Sequence, residues 1–467
     1  MNDQTQLKYP HPNPSISFWL QGTRSSPLLG HRTTPTLPDT VDVVIIGSGL
    51  SGAATAYFLL TGPNPPKSVI ILEAREACAG ATGRNGGHCR PDCYRGYRGY
   101  KETFGKEQAF KVLANEMDTL NLMQEIIEKE NIDCDFWRGY SFDVAMNQKC
   151  ADEWHTTLQA YIADGADITG IVEWISDPHK AQQMTRCPSA QAAAIFPAGS
   201  LWPYKLVTGL LQICISRQGL NLQTTTTVKA VEAEGNMWKV ETDRGNIIAT
   251  KVVYASNAFT STLLPEFEGK LTPFRGQCSA IVPTKPYSGP NMLSHTYSFR
   301  WGPPRGDYDY MIQRPKDGII ILGGGRWKVP IKELLGQTDD SIKFPEITTH
   351  LGQALRDYLE DWGEESIGEG LLSDWTGIMG YTPEVVPYVG QLPNKPGAFI
   401  CAGHCGHGMA RIMTCARGLA ALMRGESWSA TGLPECFEPT EKRMSMSSKT
   451  VEERWIETHG RGEGMLD

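Results

Sequence analysis

Long apolar runs are missing from this chain. Its most apolar window, residues 41–60, is broken by Asp42 and by a cluster of glycine and serine, so no segment reads as a membrane span. The first 40 residues lack a basic stretch followed by an apolar one. They are polar and carry Pro10, Pro12, Pro14, Pro27, Pro35 and Pro38, the pattern of a Pro-rich arm rather than a secretory leader. The last residues show neither a peroxisomal address nor a prenylation cysteine, so a cytoplasmic location is the default expectation. Basic charge is also scarce: 44 Lys and Arg stand against 52 Asp and Glu, for a net charge of -8. That balance offers no broad basic surface, and the expected partners include no nucleic acid and no membrane. Internal repeats and low-complexity tracts are absent. The 12 cysteines follow no regular pairing, which reads as reduced, buried thiols without structural disulfides. Nothing in the sequence sets an oligomeric state.

What remains is a chain of 467 residues, 40% of them hydrophobic and 48 of them glycine, long enough for two or three domains with a large core. Residues 41–46 (VDVVII) read as a buried strand of a parallel sheet. A glycine turn follows at 47–52, then an Ala- and Leu-rich helix at 53–60. Residues 61–67 break that helix, and 68–72 resume a strand that ends at Glu73. Gly47, Gly49 and Gly52 fit the GxGxxG fingerprint of a dinucleotide site, with Leu50 and Ser51 between them at the helix start. Such a turn lets backbone approach a pyrophosphate, which the helix N-terminus then attracts. Glu73 stands where a carboxylate can bind both ribose hydroxyls, and it disfavours a 2'-phosphate. Further along, 107–130 has the period of an amphipathic helix, 220–258 and 277–325 read as strand-rich, and a helix is expected around 342–362. Residues 399–403 and 409–424 repeat the order of strand, glycine turn and helix.

Residues 74–88 (AREACAGATGRNGGH) decide which dinucleotide. They resemble the FAD-binding loop of the D-amino-acid-oxidase-like (DAO) flavoproteins, near the glycine, sarcosine and γ-glutamylputrescine oxidases. Small residues at Gly80, Ala81 and Gly83 let backbone approach an extended cofactor, and Thr82, Arg84 and Asn85 offer donors. The same family is resembled, in order, by TTTV at 225–228 with VVYASNA at 252–258, by PFRGQ at 273–277, and by 399–409. The resemblance implies FAD as cofactor. It places Ala74, Arg75, Gly86, Gly87 and His88 on the cofactor loop and Val228 and Ala255 beside the adenosine. It sets Gly403, Gly406, His407, Gly408 and Met409 under the pyrimidine end of the flavin. The implied fold is α/β: a Rossmann-like FAD-binding domain from 41–90, 195–270 and 370–430, and a mixed or antiparallel-sheet substrate domain from 91–194 and 271–369. The arm 1–40 and a tail 431–467 flank them.

The activity implied is oxidation of a C–N bond in a small-molecule amine or amino acid. Hydride passes from the neutral amine to the flavin, water hydrolyses the imine, and oxygen or another acceptor takes the electrons. Tyr308, Tyr310 and Arg326 are expected on adjacent strands facing the flavin, Tyr310 shaping the pocket and Arg326 binding a carboxylate. His407 or His88, by a near-neutral pKa, would favour the neutral amine. Trp202 and Trp375 are further aromatic candidates. The stretch 376–384 lacks the cysteine through which some relatives attach flavin, which leaves His88, Cys401 and His407 as attachment points. Other readings stay open: a flavoenzyme of specialised biosynthesis acting on a scaffold amine or a C–C bond, a flavin-binding protein without turnover, or a zinc protein. The last would use Cys401, His404, Cys405 and His407, with His88, Cys89 and Cys93 supplying more ligands.

Overall fold

The run of β-branched residues before the glycine motif becomes the centre of a sheet. In the computed structural model, which describes residues 8–301, 308–446 and 450–453, the strand Thr40–Ile46 lies parallel to Val69–Leu72 on one side and to Gly245–Tyr254 on the other. All four residues of Val69–Leu72 are buried, as a strand covered on both faces requires. Asn221–Gln223 extends the parallel set at one edge and Ala398–Ala402 at the other. Tyr388–Gln391 closes that second edge in antiparallel fashion. With Val228–Glu234 and Met237–Thr242 the sheet has eight strands. The helix Leu50–Thr61 packs between helices Pro203–Gln218 and Ile412–Met423. Its alanines 53, 54 and 56 are fully buried, so the helices meet at close range. Gly52 sits where a Cβ would lie 1.9 Å from the Gly47 carbonyl oxygen, and no other residue fits there.

The second sheet has nine strands and mixed direction. From one edge it runs Gly370–Tyr381, Thr272–Val282, Ile320–Gly323, Tyr308–Gln313, Thr296–Arg300, Trp137–Ala145, Ala192–Ser200 and His88–Cys89, with Glu173–Ile175 paired to Ala192–Ser200. Only Thr296–Arg300 and Trp137–Ala145 are parallel neighbours; the other pairs are antiparallel. This is the α/β fold with a mixed second sheet that the motifs imply. Sheet membership differs from the expected division at three segments: His88–Cys89, residues 195–200 of the strand Ala192–Ser200, and Gly370–Tyr381, assigned above to the cofactor unit, pair in the second sheet. Among the described residues no helix is long and apolar enough to cross a membrane.

The Pro-rich segment is no loose arm. Ser17 caps the one-turn helix Phe18–Gln21, and its hydroxyl donates to the Gly83 carbonyl at 2.6 Å. Trp19, with no exposed surface, donates from Nε1 to the Asn85 carbonyl at 2.6 Å. Ser15 joins the Asp340 carbonyl and Thr376, so the segment straps the loop 74–88 to the second sheet. The first seven residues of the arm, and 447–449 and 454–467 of the tail, lie outside the described residues.

Candidate functional site

One cavity of about 640 Å³ runs between the two sheets, a size within the roughly 300–1,000 Å³ usual for cofactor and ligand sites. At one end it meets Glu73, Val228 and Ala255; it then passes Gly47, Gly49, Leu50 and Ser51. The helix Leu50–Thr61 opens with no side-chain bond from its own cap residue, Gly49. Thr82 Oγ1 accepts from Leu50 N instead, at 3.1 Å. The N-terminal N–H groups of this helix therefore face the cavity, where they and the helix dipole attract phosphate. Gly47 holds a φ of 106°, and a Cβ there would press on the Ala255 carbonyl oxygen at 2.8 Å. Glu73 is held by Ser48 N and Oγ on one carboxylate oxygen and by Arg75 N on the other.

The loop 74–88 contributes Ala74, Arg75, Gly80, Ala81, Thr82, Arg84, Asn85, Gly86 and His88 to the lining, yet several of its polar groups are engaged elsewhere. The Arg75 guanidinium pairs with Asp340 at 3.0 Å and donates to the Ala79 carbonyl. Arg84 donates to the carbonyls of Ala79 and Thr376 and lies 3.3 Å from Asp340, leaving only Nη2 without a partner. Arg84, expected to offer a donor to the cofactor, and Arg75, expected on the cofactor loop, are braces between the loop and the second sheet. Asn85 Oδ1 accepts from Gly87 N. Gly86 is small because the Tyr310 ring lies where its side chain would be, 2.6 Å away. Gly52, Gly87 and Gly403 do not line the cavity; each serves a close backbone approach behind it.

At the far end the turn after Ala398–Ala402 brings His404, Gly406, His407, Gly408 and Met409 to the cavity wall. Gly403, Cys405 and Gly406 all have positive φ, and Cys405, a non-glycine, is held there by its Sγ, which donates to the Gly403 carbonyl and accepts from Thr382 N. The expected helix from 409 begins later: Gly408–Ala410 is one 3-10 turn and Ile412–Met423 is the helix. His407 Nδ1 lies 3.3 Å from Glu116 and, facing a carboxylate, donates to it. Glu116 is fully buried, pairs with Arg411 Nε at 2.7 Å and accepts from Asp92 N. Burial pushes its carboxyl up, but His407, Arg411 and the Asp92 N–H hold it down at about 2. His88 bonds Thr296 Oγ1 at 2.7 Å; burial, with Arg90 and Arg95 nearby, drives its pKa well below the ordinary value, so it is no near-neutral base.

Tyr308 and Tyr310 share one strand, as expected, and both line the cavity. Tyr310 is wedged between Gly86 and Gly323, with its hydroxyl 3.5 Å from Cys278 Sγ. Arg326 reaches the same wall from a 3-10 turn rather than from a strand, because Gly324 and Gly325 take positive φ and Asp309 accepts from Gly325 N. Trp375 donates to the Arg84 carbonyl and Trp202 packs on Trp19, so both support the loop and neither lines the cavity. Cys401 is buried behind the wall, 3.8 Å from His404. The zinc reading does not survive this geometry: Cys405 turns to Thr382 and His407 to Glu116, and among the described residues no three His, Cys, Asp or Glu side chains converge as metal ligands. Residues the motifs did not single out also reach the cavity, among them Tyr9, Arg90, Arg95, Arg300 and Tyr381. Proximity of Arg90 and Arg95 to the loop 74–88 was the one signal available for the first pair.

His404 adds a testable consequence. Burial, with the Arg411 charge adding, pushes its pKa down from 6.5 to about 3, and its Nδ1 has no partner. The unfolded chain takes up a proton below about 6.5 that the folded chain refuses. Stability is therefore expected to be level above pH of about 6.5, to fall from there toward 3, and to fall faster below 4.5, where Glu116 protonates in the unfolded chain only. Thermal unfolding midpoints across this range check it; a level profile down to pH of about 4 would refute it.

A family model described as DAO, FAD dependent oxidoreductase, matches residues 42–422. The chain belongs to the DAO family. It is 23% identical over 394 residues to a probable oxidoreductase OrdL of Haemophilus influenzae, across 82% of this chain and 83% of that one. To a gamma-glutamylputrescine oxidoreductase of Escherichia coli it is 22% identical over 399 residues, across 83% and 84%. The structure of a glycine oxidase from Geobacillus kaustophilus superposes with a TM-score of 0.67 at 20% identity, covering 86% of this chain and 99% of that one. This DAO-family protein is an oxidoreductase of the amine and amino-acid oxidase type, and FAD is its cofactor. The residues present fit that cofactor. The glycine turn leaves room no Cβ could share, the Leu50–Thr61 helix aims its N-terminus at the cavity, and the unpartnered polar atoms His404 Nδ1 and Arg84 Nη2 belong to cavity-wall residues.

Proposed function

We propose that this enzyme oxidises the C–N bond of a small amine or amino acid, binding FAD along the first sheet and its substrate against the second. The observation that carries this reading is the continuity of one cavity from Glu73 and the glycine turn to Tyr308, Tyr310 and Arg326 on the second sheet. FAD held there by the glycine turn, Glu73 and the loop 74–88 would supply the hydride acceptor that lets an amine become an imine, which water hydrolyses. The protein's part is to place the amine and hold it neutral. Glu116 accepts from His407 Nδ1, which leaves Nε2 as the ring's proton acceptor. Tyr310, held by Cys278 and two glycines, is a rigid wall, and Arg326 offers a guanidinium to a carboxylate. In this reading Gly406, Gly408 and Met409 would hold the flavin end of the cofactor, and Val228 and Ala255 its adenosine.

The domain division follows the sheets in this proposal: the eight-stranded sheet and its helices hold the cofactor, the nine-stranded sheet holds the substrate. The test is anaerobic addition of a panel of amines and amino acids to the purified flavoprotein. Bleaching of the oxidised-flavin absorption by one panel member, with an imine-derived carbonyl product, is the expected result. A flavoprotein that no amine or amino acid bleaches, but that another reductant does, would refute it.

A further inference from the structure

The substrate half of the cavity holds more positive charge than one carboxylate of a simple amino acid would need. Arg90, Arg95, Arg300 and Arg326 all line it. Behind them Asp143, with no exposed surface, pairs with both Arg90 and Arg95, the latter at 2.9 Å. Asp92, also buried, adds a second carboxylate beside this pair, so the charge of Arg90 and Arg95 is matched from within the protein. Arg300 adds a further cation from the neighbouring strand: Thr296–Arg300 runs parallel to Trp137–Ala145, with Ser298 opposite Asp143 and Arg300 two residues on. The Arg300 guanidinium lies 4.5 Å from the Tyr308 ring centroid, and that of Arg326 lies 4.4 Å from the same ring. Among the described residues Arg300 has no carboxylate partner, and its buried Nε has no hydrogen bond. Burial, reinforced by Arg95 and Arg326, pushes its pKa down to about 9, against the pull of Asp143. The other carboxylates on the cavity wall are engaged or remote: Glu102 is exposed, Glu384 faces Arg443, and Glu73 is at the opposite end.

A guanidinium whose buried Nε has no hydrogen bond is costly, and the group that satisfies it best is a carboxylate bound through two N–H donors. We propose that Arg300 anchors a second carboxylate of the substrate, so that this enzyme prefers amines bearing two carboxylate groups over amino acids bearing one. The inference rests on the amine-oxidation reading for the fate of the ligand, but the anion site stands on its own geometry. Arg326 and the Arg90–Arg95 pair flank Arg300 and set the field into which both carboxylates enter.

The experiment uses the FAD-loaded enzyme and matched pairs differing in one charge: aspartate against asparagine, glutamate against glutamine, in both enantiomers, scored by anaerobic flavin bleaching. Succinate against succinamate, which carry no amine, is scored by perturbation of the flavin spectrum. The dianion of at least one pair is expected to bind roughly 30-fold or more tighter than its amide. In Arg300→Met that preference should fall to about threefold or less, with flavin content unchanged, and Arg300→Lys should recover part of it. The wild-type comparison needs no variant, so a misfolded Arg300→Met leaves the proposal testable. Equal handling of dianion and amide by the wild type overturns the inference while bleaching keeps the oxidase reading. Succinate preference without bleaching by any amine keeps the anion site and removes the oxidase reading. No preference in any pair removes the anion site.

Discussion

Arg411→Met is expected to destabilise the folded protein by about 3–5 kcal/mol, the usual cost of removing one partner from a buried ion pair. Arg411 has no exposed surface, and its guanidinium serves three neighbours: Glu116 at 2.7 Å, the Val385 carbonyl at 2.8 Å and the Tyr100 hydroxyl at 2.6 Å. Those bonds tie the helix Lys106–Glu130 to the turn at 403–411 and to Val385, which keeps a positive φ of 60° that a β-branched residue rarely accepts. With Arg411 gone, the Glu116 charge stays buried with only His407 and the Asp92 N–H beside it. Urea unfolding of the two proteins measures the difference. A loss under about 1 kcal/mol would show that the pair contributes little. The double variant Glu116→Met with Arg411→Met should recover part of the loss, because removing both charges leaves no ion unpaired.

His407→Gln is expected to slow flavin reduction by the substrate about 10²- to 10⁴-fold, the range over which a positioned proton acceptor contributes. Glutamine preserves a side-chain donor toward Glu116 and removes the ring nitrogen that takes up the amine proton in the proposed reaction. Single-turnover reduction measured at saturating substrate separates this from weaker binding, and flavin content reports whether the turn still seats the cofactor. A reduction rate within about threefold of the wild type would assign the proton to another acceptor.

The cofactor side of the fold was legible because its signals are local. The strand, glycine turn, helix and strand from Thr40 to Leu72 each follow from a few adjacent residues, and Gly52 is dictated by a backbone contact within that unit. The sheet to which Ala192–Ser200 and Gly370–Tyr381 belong was not legible, since a strand's period says which face is buried and nothing about its partner. Arg75 and Arg84 show the same limit in side chains. Both sit in the cofactor loop, where a guanidinium reads as a cofactor contact, and only the position of Asp340, far along the chain, turns them into braces. Arg326 was placed on a strand because the three glycines before it read as part of one; Gly323 does end a strand, but the positive φ values of Gly324 and Gly325 make a turn after it. His88 and His407 were indistinguishable as letters. Arg90 and Arg95 beside the one, and Glu116 beside the other, separate them. Arg300 carries no motif, and only the strand pairing next to Asp143 brings it into view.

The strap at the N-terminus bears on how such a chain comes together during synthesis. Ser15 bonds Asp340 and Thr376, residues 325 and 361 positions later, so this segment finds its seat only when those residues have also been made. Until then the Gly83 and Asn85 carbonyls lack the Ser17 and Trp19 donors that tie the cofactor loop down from outside. A chain trimmed to the matched residues 42–422 would keep every glycine of the fingerprint and still leave those carbonyls, with Thr376 N, without their partners.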